Sequence, residues 1–209
     1  MLIDLSHPIT DGAGAYPGLP PPRIGPILDH EASRDRYDGK AEFYLGRIEM
    51  ATNTGTYLDA PLHRYRKGTD LAEVPLERTA ELPGIVLDAP EEGPIDIGQV
   101  DVAGRAVLLR SGLDRHWPEK AYWARGPHLS TAAIDRLLGA ALVGVDFRNV
   151  DDITDPARPA HTRLLEAGVV IVENLRGLDR LPSDGFRFTA APLAVVGGAS
   201  FPVRAYAEV

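Results

Sequence analysis

Four short apolar runs constrain the fold of this chain more than any other feature: GIVLDA (84 to 89), RAVLLRS (105 to 111), ALVGVDF (141 to 147) and GVVIVEN (168 to 174). Each is bounded by Gly or polar residues and lacks polar alternation, the pattern of a strand covered on both faces. Such strands need helices to cover them. In LSTAAIDRLLGA, Ser130 stands as an N-cap, Ile134, Leu137 and Leu138 recur at helical spacing, and Gly139 ends the run. PAHTRLLEAG opens on Pro159, which suits a first helical turn, and stops at Gly168. Strands alternating with short helices predict an α/β domain with a mixed central sheet and short flanking helices.

A chain of 209 residues fits one core, so residues 1–209 are expected to form a single domain. FYLGRIEM (43 to 50) has the aromatic and β-branched content of a strand and delivers the chain to the segment from Asn53 to His63. DGAGAYPGLPPPRIGP (11 to 26) is too rich in Gly and Pro for regular structure. It reads as an extended arm, either a surface loop or a strap across a partner subunit or a pocket.

Composition removes several classes of function. A net charge of -8 with no basic stripe argues against a nucleic-acid partner, whose recognition rests on clustered Lys and Arg. With no Cys there is no disulfide, no thiolate metal site and no cysteine nucleophile, so any metal must sit on His, Asp, Glu or weaker oxygen donors. Apolar content of 44% fits a soluble globular protein rather than a membrane span. MLIDLSHPIT carries an acid and no basic region ahead of an apolar run, so a cytoplasmic address is expected. Glycines in DGAGAYPG lack the preceding strand of a dinucleotide fingerprint, and no Gly-x-Ser-x-Gly elbow is present.

Of six histidines, His30, His116 and His128 read as structural or surface residues. His63 differs, because it follows Asp59 by four positions across the proline-stiffened turn of TGTYLDAPLH, which could aim both into one cleft. His161 opens a helix, and Glu173 ends the otherwise apolar VVIVE. A carboxylate there is costly to bury without a cation, a metal or a hydrogen-bond network.

TGTYLDAPLH, VGVDFRNVDD, PAHTRLLEAGVVIVENLRGLDRLP and FTAAPLAVVGGASFPVRAYA, with the opening DLSHPI, resemble the cyclase family that includes bacterial kynurenine formamidase and isatin hydrolase. The resemblance runs in order over nearly the whole chain. It implies a swivelling β/β/α fold, a homodimer or homotetramer, and zinc or manganese held by two histidines and an aspartate of a His-x-Gly-Thr-His-x-Asp-x-Pro-x-His motif plus a later histidine and glutamate. Carried across, the aspartate is Asp59, the motif's final histidine and acid/base is His63, and the later pair is His161 and Glu173. The first two histidines fall on Asn53 and Tyr57.

An amide oxygen is a weak ligand, and a phenol with a free pKa near 10 must first lose a proton, so one metal position should be lost. Asp59, His161 and Glu173 remain as the expected set for one divalent ion with an open position. Tyr57 could donate to a substrate oxygen or fill vacated space; Asn53 could orient a carbonyl; Arg64 could clamp a substrate carboxylate or pair with a surface acid.

The leading expectation is an enzyme acting on a small cyclic or ring-forming amide, lactone or ketone, by hydrolysis with one divalent ion and His63 moving the proton. One alternative is a metal-independent cyclase or dehydratase in which His63 is the base, Tyr57 or Asn53 holds the oxyanion, and Asp59 or Glu173 returns the proton. Another is a binding protein that kept the fold without turnover.

Overall fold

In the computed structural model, which describes residues 1–124 and 126–209, the four apolar runs lie side by side. The strands are β1 (Leu2–Asp4), β2 (Arg23–Leu28), β3 (Leu45–Glu49), β4 (Tyr57–Asp59) and β5 (Leu82–Asp88). They continue with β6 (Gly93–Ile95), β7 (Ala106–Arg110), β8 (Pro127–Leu129), β9 (Leu142–Val145) and β10 (Val170–Glu173). The last three are β11 (Phe186–Thr189), β12 (Ser200–Pro202) and β13 (Tyr206–Glu208). Helices are short: α1 (His30–Arg34), α2 (Thr131–Leu137) and α3 (Pro159–Glu166).

The main sheet has nine strands in the order β1-β13-β11-β5-β7-β9-β10-β4-β12. β5, β7, β9 and β10, the four apolar runs, pair in parallel at its centre, and antiparallel strands extend it on both sides. This is the α/β, swivelling β/β/α arrangement with a mixed sheet expected from the sequence. Alternate residues of the central strands serve different cores. Val107, Leu109, Val143 and Ile171 meet Ile134 of α2 and Leu164 of α3, whereas Leu108, Leu142 and Val172 meet Leu58, Phe186 and Phe188 on the other face. That alternation is why the runs are apolar throughout.

Ser130 caps α2, its Oγ accepting the Ala133 N–H at 3.1 Å. After α3, Gly168 takes a φ of +73°, a left-handed conformation that glycine adopts without strain.

Two expectations change. The irregular arm is shorter than 11–26, because Arg23–Pro26 belong to β2, whose ladder with β3 pairs Ile24 with Ile48. FYLGRIEM does form a strand, but β2 and β3 make a separate two-stranded ribbon and β3 is exposed along its length. β3 ends at Glu49, and the chain runs from it into the Asn53–His63 segment. That segment carries its own strand, β4, fully buried between β10 and β12.

Candidate active site

β4 places Tyr57 opposite Glu173 and Asp59 opposite Ile171 in its antiparallel ladder with β10. Cross-strand partners share a face. Ile171 packs with α3, so Tyr57, Asp59 and Glu173 project to the α3 side while Leu58 enters the opposite core. The turn Pro61–His63 follows β4 directly, with the His63 N–H donating to Ala60 O at 2.8 Å, and swings the imidazole back over Asp59. From α3, buried His161 comes down on the same acids.

His63 Nδ1 lies 3.6 Å from Asp59 Oδ1 and 3.4 Å from Ser200 Oγ. His161 Nε2 lies 3.7 Å from both Asp59 Oδ2 and Glu173 Oε1. The four side chains at 59, 63, 161 and 173, distant in sequence, thus meet in one place. Asn53 joins them, its Nδ2 donating to Asp59 Oδ1 at 3.4 Å and its Oδ1 accepting from Ser200 Oγ at 3.3 Å. Tyr57, expected either to donate to substrate or to fill vacated space, donates its hydroxyl to Glu173 Oε2, while Oε1 accepts the Val150 N–H at 3.1 Å. Arg64 donates from Nε to Thr162 Oγ1 at 3.0 Å and lies over the Tyr65 ring rather than against an acid.

Sequence reasoning missed Asp151. Its carboxylate accepts from the Ala160 and His161 amides at 2.6 and 3.1 Å and sits 2.6 Å from His161 Nδ1. One acid thereby caps α3 and fixes the ring so that Nε2 faces the site. The signal available was only the DD of NVDD, a pattern that ordinarily marks a solvated turn.

Charge follows from this packing. Burial alone would lower the His161 pKa, but the hydrogen bond to Asp151 and the nearby carboxylates of Asp59 and Glu173 outweigh it and push the value up to about 10. Burial raises Glu173 to about 7, against the opposing pull of His161. For Tyr57, burial and the charges of Glu173 and Asp59 hold the phenol well above its ordinary pKa. It stays protonated and serves as a donor, not as an ionised ligand. Asp151 is driven up by burial, yet the bonds from His161 and the two amides leave it below the ordinary carboxylate range.

Asp59 is completely buried, and its Oδ2 has no hydrogen-bond partner among the described residues. An unpartnered carboxyl oxygen facing an imidazole nitrogen is a site for a cation. Donor atoms of Asp59, His63 and His161 all lie within 4.8 Å of one another, and this mixture of carboxylate and imidazole suits a first-row divalent ion. The expected third ligand, Glu173, is close; each of its oxygens accepts one hydrogen bond, which leaves each a second lone pair.

Above the cluster opens a cavity of about 270 Å³ lined by Asn53, Tyr57, His63, Arg64, Asn149, Arg158, His161 and Glu173, with Tyr16 and Leu19 of the arm closing one side. The arm is anchored by the Ala15↔Thr54 bridge and the edge-on contact of Tyr16 with Trp123. Tyr16 and Leu19 thus border the pocket, while Pro17, Gly18, Pro20 and Pro21 are exposed.

Known proteins bear on this geometry. The family model described as Putative cyclase matches residues 3–152. The kynurenine formamidase of Salinibacter ruber is 32% identical over 98% of this chain and 95% of its own, and that of Bacillus mycoides 27% identical over 97% and 95%. Among solved structures, isatin hydrolase A from Ralstonia solanacearum matches with a TM-score of 0.84 at 24% identity, covering 99% of this chain and 91% of its own. A structure titled a potential metal-dependent hydrolase with cyclase activity matches with a TM-score of 0.79 at 27% identity, covering 99% of this chain and 96% of its own.

Proposed function

This chain belongs to the cyclase family, and on that premise we propose that it is a hydrolase opening a small cyclic amide, a lactone or an open-chain amide C–N bond with the help of one divalent ion. One observation carries the reading: the buried, unpartnered Asp59 Oδ2 facing His161 Nε2, a nitrogen aimed there by Asp151. Asp59 and His161, with Glu173 as the third ligand beside them, would hold the ion. Such an ion polarises a carbonyl and acidifies bound water.

The chain's own residues supply the rest. His63 is the least buried of the cluster, its side chain 35% exposed, and its Nδ1 faces Asp59 and Ser200. That leaves Nε2 to carry the proton to the leaving group. Tyr57 and the Val150 amide hold the Glu173 carboxylate in place. Tyr16 and Leu19 restrict water at the pocket mouth.

A second reading has a specific observation behind it. Asn53 and Tyr57 fill two family ligand positions with hydrogen-bond donors, and His161 is surrounded by Asp59, Asp151 and Glu173. In a metal-independent cyclase or dehydratase, that imidazolium would supply the positive charge and His63 the base. Assay of cyclic amides, lactones and aryl amides before and after chelation separates the two. Turnover lost on chelation and restored by zinc or manganese supports the hydrolase; turnover indifferent to chelator supports the second reading. Binding without turnover in both wild type and His63→Ala contradicts both.

A homodimer or homotetramer belongs to the same proposal. A two-stranded ribbon is marginal alone, and the β2–β3 ribbon leaves Ile27, Leu45 and Ile48 exposed, with Phe43 beside it.

A further inference from the structure

Among the described residues, three buried side-chain atoms lack a hydrogen-bond partner: Asp59 Oδ2, His7 Nε2 and Arg176 Nε. The first belongs to the candidate active site. The other two lie elsewhere and share a location, for His7 and Arg176 together line two adjoining open clefts. His7 belongs to the opening DLSHPI segment, to which the proposed reaction gives no role.

The His7 ring is held firmly. It is 7% exposed, its amide donates to Thr56 Oγ1 at 3.0 Å, and it stacks on Trp117 at 4.5 Å with 17° between planes. Nε2 is therefore not a nitrogen waiting to rotate toward a neighbour. The surroundings are cationic in a chain of net charge -8: Arg204 borders one cleft, Arg180 the other, and Arg176 both.

The carboxylates nearby are engaged. Asp4 is gripped by Arg204 through Nε at 2.9 Å and Nη2 at 3.0 Å, with Arg176 Nη2 3.5 Å away. Asp114 Oδ2 accepts the Gly177 N–H at 2.7 Å. Arg180 bonds only the backbone carbonyls of Asp4 and Gly177 and has no carboxylate partner among the described residues. An Arg Nε–H can only donate, so the buried one on Arg176 needs an acceptor, and beside Arg180 a negatively charged acceptor is favoured.

We infer that the clefts meeting at His7 and Arg176 form a second binding site for a small oxyanion, a phosphate- or carboxylate-bearing molecule held by Arg176 Nε, the His7 imidazole and the Arg180 guanidinium. A water molecule at either nitrogen would leave the Arg180 charge unused. The site is independent of the hydrolytic reading, since none of its residues touches the proposed reaction.

The test is calorimetric titration of the intact protein with inorganic phosphate and, separately, acetate, at ionic strength fixed with chloride. Saturable binding of one anion per chain is expected, with phosphate alone or acetate alone identifying which group the site takes. Arg180→Gln, a change at an exposed side chain, should weaken binding about tenfold, the scale of one lost charge-assisted hydrogen bond. In the NMR spectrum the His7 ring signals should move on saturation while those of His128 stay. Absence of saturation with either anion, or equal binding by Arg180→Gln, would overturn the assignment; the second result would place the anion elsewhere.

Discussion

Asp151 and Asp59 act on opposite nitrogens of one ring, and most residue-level consequences follow from that pairing. Asp151→Asn keeps an acceptor for the α3 amides but removes the charge that orients and polarises His161. Divalent-ion affinity should fall about 10- to 100-fold, the usual effect of losing a partner behind a ligating histidine. Competition with a chromogenic chelator measures this, and an unchanged affinity would contradict the role. Acid–base linkage gives a second expectation, for chelated protein. His161, raised from 6.5 to about 10, and Glu173, raised from 4.5 to about 7, both hold protons more tightly when folded. Their stabilisation is complete below the unfolded values and is lost as pH rises through the folded ones. The Tm of the chelated protein should therefore decline between about pH 5 and pH 10, and a Tm rising across that window would refute the arrangement. Glu173 was legible in the sequence because an acid closing VVIV must have a partner, and Asp59 with His63 through the family motif that TGTYLDAPLH resembles. Asp151 was not, since its partner lies ten residues away and only tertiary packing buries it.

At the scale of elements, the central strands tolerate little change. A Cβ on Gly144 of β9 would come within 2.7 Å of Leu108 Cδ2 and Leu175 Cδ1, so Gly144→Ala should destabilise by about 1–3 kcal/mol through overpacking. Ser130→Ala removes the α2 cap and should cost about 1 kcal/mol. Urea denaturation checks both, and a neutral Gly144→Ala would mean that β7 and β9 pack less tightly than described. The four central strands were readable because burial on two faces leaves uninterrupted apolar runs. β4, β12 and β13 have three residues each, too few for any periodicity, and gain their strand character from neighbours already in the sheet. The arm was legible as Gly- and Pro-rich chain, but its four-residue overlap with β2 depends on a ladder to β3 that no local pattern announces.

For the whole molecule, two or four chains per particle are expected by light scattering, because the exposed apolar ribbon of β2 and β3 needs cover; a monomer at all concentrations would contradict this. The central claim concerns how many ions one chain can hold with Asn53 and Tyr57 at the positions where the resemblance to the family motif expects histidines. Elemental analysis of protein purified without chelator addresses it directly, compared with the double variant Asp59→Asn, His161→Ala. One divalent ion per chain in the wild type and none in the variant is the predicted result. Two ions per wild-type chain, or one retained by the variant, would contradict it.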